Sequence, residues 1–312
     1  MNKFKKCGLF LLLTFSHAVL ATEGGIGRPI TGMQIVPLGG MLPTNEGVIF
    51  SFSSVYYDGE IQNSRKSVLD NKVVGGLGYN ISYTLLSGVY IWSASTKYSF
   101  ASALGIPVQY TDINAYVTSS QLQRSLNDSS TNISDITFSP LMVDYHISEN
   151  NHLLFNTQIY APTGAYDENR FANAGQNTWT FVPSMAFTTL DYETGLELTG
   201  AVAMEFYTRN NATNYRNGAI FRIDALALQR FGNGWGAGIS LGWIQQVQDD
   251  SGKIANYLDG YRGRSTGIGP LLSYETKIDN IQLSTSMKWI HEFNVNNRPE
   301  GDGGQASLTV QF

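Results

Sequence analysis

The sequence predicts an all-β fold: a closed, antiparallel transmembrane β-barrel of about twelve strands, with both termini on the periplasmic side. Three observations predict it. About twelve stretches between Val48 and Phe312 alternate apolar with polar residues, and period two marks a strand whose faces meet different surroundings. The spacers between them alternate short and long, as where tight periplasmic turns face longer outer loops. The last stretch ends on an aromatic: Ala306, Leu308, Val310 and Phe312 interleave with Ser307, Thr309 and Gln311.

Residues 1–21 have the three parts of a cleaved export signal. Lys3, Lys5 and Lys6 precede an apolar run from Gly8 to Phe15, and Val19-Leu20-Ala21 is the small-residue cleavage site. Cys7 goes with this leader, so no disulfide or thiol chemistry is expected afterwards. Past the leader no apolar run reaches the roughly 18 residues of a membrane helix. Without the three leader lysines, 17 basic residues face 25 acidic ones, a net charge of about −8, which is no footprint for nucleic acid.

Residues 22–47 form a periplasmic lead-in carrying Arg28-Pro29 and Leu42-Pro43, too short for the plug domain of an energised transporter. Its apolar Ile35, Val36, Leu38, Met41 and Leu42 predict that it tucks into the periplasmic mouth of the barrel, which takes up residues 48–312.

The strands follow in order: Val48 to Tyr57, Tyr79 to Trp92, Lys97 to Tyr116, Asp135 to Ile147, His152 to Tyr160 and Thr178 to Leu190. Then come Glu197 to Tyr207, Asn217 to Arg230, Trp235 to Gln246, Gly263 to Ile278, Gln282 to Phe293 and Gln305 to Phe312. Short connections fall at Ser93 to Thr96, Ser148 to Asn151, Asp191 to Gly195, Phe231 to Gly234 and Asp279-Asn280. Long polar ones fall at Asp58 to Asn71, Thr118 to Ser134, Pro162 to Asn177, Arg209 to Arg216, Val247 to Arg262 and Asn294 to Gly304. Pro140, Pro183 and Pro270 lie inside strands, where a missing N–H predicts bulges or kinks.

The faces assign lipid and lumen. Leu198, Val202, Met204 and Phe206 oppose Glu197, Thr199 and Glu205; Phe221, Ile223 and Ala225 oppose Arg222, Asp224 and Arg230; Leu283, Met287 and Trp289 oppose Ser284, Ser286 and Lys288. An arginine or lysine facing the bilayer midplane costs about 2 to 4 kcal/mol, so the charged faces turn inward. Tyr56, Tyr57, Trp92, Tyr98, Trp179, Tyr207, Trp235, Trp243 and Phe312 stand near strand ends as girdle candidates, with Tyr145 and Phe181 as alternative core fillers. Glu197, Glu205, Arg222, Asp224, Arg230, Glu275 and Lys288 are the lumen candidates, read either as opposed charge rows that set selectivity or as pairs that brace the wall.

Several patterns point to chemistry only superficially. His146-Ile147-Ser148 with Asn156 has the His-x-Ser spacing of outer-membrane phospholipases, but Ser148 falls in a periplasmic turn. The glycines at 24–27 and 75–78 do not stand between a strand and a helix, as a phosphate loop requires. Asp249, Asp250 and Asp259 lack regular calcium-ligand spacing. No cofactor, metal site or catalytic residue is assigned.

One family resemblance covers nearly the whole chain past the leader. It is carried by Gly27-Arg28-Pro29-Ile30-Thr31-Gly32, Gly39-Gly40-Met41-Leu42-Pro43, Asp135-Ile136-Thr137-Phe138-Ser139-Pro140 and Ala161-Pro162-Thr163-Gly164-Ala165-Tyr166. Further pieces are Gly175-Gln176-Asn177 with Trp179, Tyr215-Arg216-Asn217-Gly218, Gly267-Ile268-Gly269-Pro270 and Arg298-Pro299-Glu300-Gly301. Together they resemble the outer-membrane family named for the meta-pathway of phenol degradation. The resemblance implies a Gram-negative outer-membrane channel for passive uptake of small hydrophobic or aromatic compounds. Its partners would be the membrane lipid, the solute and the assembly machinery, which reads a terminal aromatic such as Phe312. A structural or surface-interaction barrel with a blocked lumen is the alternative, and a lipid hydrolase a third.

Overall fold

The computed structural model describes residues 27–61, 67–69, 72–74, 76–119, 122–257, 260–279 and 281–312. The expected leader and cleavage site lie outside these residues, as does Asp259. In chain order the elements are β1 (Gly47–Ile61), β2 (Ser67–Leu69), β3 (Lys72–Val74), β4 (Gly76–Ala94), β5 (Tyr98–Ser119), β6 (Leu122–Ile133), β7 (Thr137–His146) and β8 (Asn151–Tyr160). They continue with β9 (Thr180–Leu190), β10 (Leu196–Tyr207), β11 (Ile220–Arg230), β12 (Trp235–Gln246), α1 (Lys253–Tyr257), β13 (Arg264–Ile278), β14 (Ile281–Asn296) and β15 (Glu300–Gln311). No helix among them is long and apolar enough to cross a membrane.

Twelve strands close a ring in which each pairs antiparallel with both neighbours: β1, β4, β5, then β7 through β15, which returns to β1. Closure satisfies the edge groups that lipid would leave unpaired. The expected alternation is visible in exposure. On β10, Leu198 and Phe206 are exposed while Glu197, Thr199 and Glu205 are buried; on β14, Met287 and Trp289 are exposed while Ser286 and Lys288 are buried. Arg222 and Asp224 on β11 are buried too, so the charged faces do point inward.

Several expectations need correction. β5 and β6 form a hairpin that carries the sheet into the expected loop Thr118 to Ser134. β6 and β7 pair successive stretches of β5 and are parted only at 134–136, so they act as one interrupted strand. Pro107 sits where β5 passes from one to the other, its carbonyl accepting the Ser134 N–H. The expected loop Asn294 to Gly304 shrinks to 297–299 because β14 and β15 run on. Of the three prolines, Pro140 lies in a register shift between β7 and β8. Pro183 pairs with Thr157 and Pro270 with Ile239 in unbroken register, so each accepts its missing donor as a local ladder gap without a bulge.

Tyr57 and Tyr207 are not girdle residues: both are buried in the lumen, where their hydroxyls donate to Glu292 and Glu205. Strand geometry explains the first, because adjacent residues point to opposite faces and Tyr56 is the exposed one. Phe181 is exposed and stacks against Trp179 instead of filling a core.

The C-terminal Phe312 and the tight turns at 95–97, 147–150, 191–195 and 231–234 share one rim. The lead-in enters β1 at that rim but comes from the opposite end, with Gly27 beside Tyr207, Ile220 and Gln176 near the long loops. The first described residue and the last therefore stand at opposite ends of the barrel.

Candidate functional site

The site is the lumen, and residues 27–46 run through it from the long-loop end to the tight-turn rim. Alternation along this segment turns Met33 and Ile35 into the wall and leaves Val36 exposed. Ile35 packs with Leu226, Leu228 and Leu271, Met33 with Val55 and Ile290, and Leu42 with Ile91, Ala101 and Leu154. The inward faces are thus not charged throughout: where the lead-in touches the wall, the inward face is a hydrophobic core. Gly242 of β12 lets the chain approach, since a Cβ there would collide with the Gly32 backbone.

Polar contacts fasten the segment along its length. At the long-loop end the Arg28 guanidinium donates to Asp135 Oδ2 (2.9 Å), Thr180 Oγ1 (2.6 Å) and the Thr178 carbonyl (3.0 Å), and lies 4.5 Å from the centre of the Tyr160 ring. Arg298, turned inward from the β14–β15 connection, donates to the Pro29 carbonyl at 2.6 Å. Thr31 donates to Glu292 and lies 2.5 Å from Ser265 Oγ. At mid-height Lys288 Nζ donates to the carbonyls of Gly32 (2.7 Å) and Ile35 (2.5 Å). Toward the rim, the N–H groups of Leu38, Gly40 and Leu42 donate to Glu197 (2.6 Å), Thr188 (3.1 Å) and Asp144 (2.7 Å).

The seven lumen candidates are buried or partly buried, but they do not face one another across open space. Arg222 joins Glu205 (3.3 Å) and Asp224 (2.5 Å). Arg230 pairs with both Glu197 and Glu275. Lys288 and Glu197 hold the lead-in directly. All lie on β10 to β14, so they form paired networks on one side of the lumen. Arg28, Asp135, Glu292 and Arg298 have an equal part in fastening the segment, and composition had no way to single them out. Arg28, Asp135 and Arg298 do lie within the pieces that carry the family resemblance.

Beside those networks, toward the tight-turn rim, about 960 Å³ of cavity lies between the lead-in and the wall, with Glu275 in its lining. Val36, Leu38 and Met41 supply an apolar side, and Ser51, Ser286 and Thr309 a hydroxyl-lined one.

The His-x-Ser pattern dissolves. Ser148 Oγ accepts from Asn151 within its turn, and Asn156 stands opposite Met142. The hydroxyl beside His146 is Ser99, 3.2 Å from Nε2, but Asp144 Oδ2 approaches that same nitrogen at 3.4 Å. A relay needs the carboxylate on the other nitrogen. The acidic loop also divides: Asp249 pairs with Arg262, whereas Asp250 is buried and accepts from Gly218 N–H and Gln246.

A family model described as "Putative MetA-pathway of phenol degradation" matches residues 63–308. The chain belongs to this family. No curated protein matches it in sequence. Among solved structures, an outer membrane channel from Pseudomonas putida F1 is 15% identical, with a TM-score of 0.68 over 88% of this chain and 97% of that one. The β domain of the Bordetella autotransporter BrkA is 12% identical, with a TM-score of 0.51 over 86% and 100%. At such identities the likeness is one of fold, and both are outer-membrane-type barrels. Family membership agrees with the resemblance carried by the short motifs.

Proposed function

We propose that the protein is an outer-membrane channel for passive uptake of small hydrophobic or aromatic compounds, which pass beside the lead-in. The single observation that carries this reading is the 960 Å³ cavity with one apolar side inside a closed barrel. Compact apolar solutes bury most of their surface in cavities of this size, with a few polar groups fixing orientation. The family description supports an aromatic solute, and the likeness in fold to an outer membrane channel supports the barrel. In this reading the tight-turn rim faces the periplasm, Phe312 serves outer-membrane assembly, and the seven lumen residues act mainly by holding the lead-in in place.

A second reading, a structural or surface-interaction barrel, is favoured by the density of contacts that fill the lumen. Planar-bilayer conductance and liposome swelling separate the two. The channel reading expects small conductance and measurable flux of an aromatic solute in the native protein, both rising when residues 27–38 are deleted. Absence of flux from native protein with normally folded barrels would favour the second reading.

A further inference from the structure

A buried cluster near the tight-turn rim lies in the wall of the cavity and is assigned no role in solute passage. Asp144 and His146 lie two residues apart on β7, on the same inward face, and His152 is the cross-strand partner of His146 on β8. All three side chains are at least nine-tenths buried, and the two imidazole rings are 4.6 Å apart. Each residue offers one ligand atom, and these atoms lie within 4.8 Å of one another.

One inner distance is that of a ligand pair and one that of a hydrogen bond. Asp144 Oδ2 stands 2.8 Å from His152 Nδ1 and 3.4 Å from His146 Nε2. Ligand atoms of a tetrahedral zinc site with bonds of about 2.0 to 2.1 Å stand about 3.3 to 3.4 Å apart, so a small adjustment of His152 admits an ion. Without an ion the three ligand atoms are held by hydrogen bonds to one another and to Ser99, whereas the second atoms of Asp144 and His146 go unmatched. Ser99 Oγ donates to the Pro43 carbonyl, and Asp144 Oδ1 and His146 Nδ1 are buried with no hydrogen-bond partner. Buried polar atoms are rarely left unmatched. Two imidazoles and a carboxylate, with both histidines lining the cavity, leave a fourth position for water.

We propose that Asp144, His146 and His152 form a zinc-type divalent metal site that clamps the exit of the lead-in to the barrel wall. The clamp follows from Asp144, which also accepts the Leu42 N–H, so an ion there ties β7, β8 and the lead-in together.

The test uses tag-free, full-chain protein in detergent, stripped with a chelator and then titrated with Zn²⁺ against a chromogenic indicator and with Co²⁺ alone. One Zn²⁺ per chain, intense visible bands of four-coordinate Co²⁺ and a raised melting midpoint are expected. The double substitution His146→Ala and His152→Ala should weaken Zn²⁺ binding by about 100-fold or more and abolish the Co²⁺ bands. His291→Ala, on an exposed histidine, should change neither. No stoichiometric uptake by the native protein, a six-coordinate Co²⁺ spectrum, or full binding in the double variant would overturn the site. The native Co²⁺ spectrum decides the question even if the double variant does not fold.

Discussion

Lys288 shows what an inward charge does in this barrel. Period two predicts its direction, but its role comes from two lead-in carbonyls, Gly32 and Ile35, that its ammonium satisfies. Lys288→Met should leave both without that donor, at about 1 to 3 kcal/mol for each buried group left unmatched. The lead-in should loosen, and single-channel conductance should rise above the native value. One residue away the logic reverses. Met287 is 63% exposed on the outer face. Met287→Arg should destabilise the barrel by about 2 to 4 kcal/mol in vesicles, measured by urea unfolding, because it places a cation against acyl chains. Tyr56 and Tyr57 teach the same lesson: both are aromatic near a strand end, yet only one can face lipid.

At the scale of elements, apolar alternation located the strands in lipid and missed those beyond it. β6 reads Leu122-Gln123-Arg124-Ser125-Leu126-Asn127-Asp128, with no apolar period, and its ladder to β5 rests on backbone bonds that any sequence can make. The tight turns were legible because short-range chemistry makes them. In the 191–195 turn, the Thr194 hydroxyl, with the N–H groups of Glu193 and Thr194, holds the Asp191 carboxyl below its usual range. A depressed acid stabilises above its unfolded value, and that contribution is lost as pH falls through the folded one. Asp191→Asn should therefore lower urea resistance slightly near neutrality, flatten its loss between about pH 5 and about pH 3, and have little effect below that.

For the molecule as a whole, ring closure joins the first and last barrel strands, β1 and β15, and leaves Phe312 at the end of the seam. Phe312 is 60% exposed and meets Phe50 edge-on at a centroid distance of 6.2 Å. Such a contact accounts for about 0.5 to 1.5 kcal/mol beyond area burial. Phe312→Ala should thus refold in detergent with at most a small loss of stability, while its yield in the outer membrane of cells falls several-fold. Equal yields of native and variant protein in cells would remove the assembly role.

The sequence by itself determined the twelve barrel strands, their faces, the tight turns and the family, because each is written in local alternation, turn residues or short motifs. Only the tertiary structure decided that the lead-in threads the whole lumen. The same holds for the one-sided charge networks that brace it and for the meeting of Asp144, His146 and His152 behind it. Those outcomes depend on which inward side chains of a closed ring meet which groups of the lead-in, such as Glu197 with the Leu38 N–H or Asp135 with the Arg28 guanidinium. A period of two gives the direction of a side chain, whereas register and closure choose its partner.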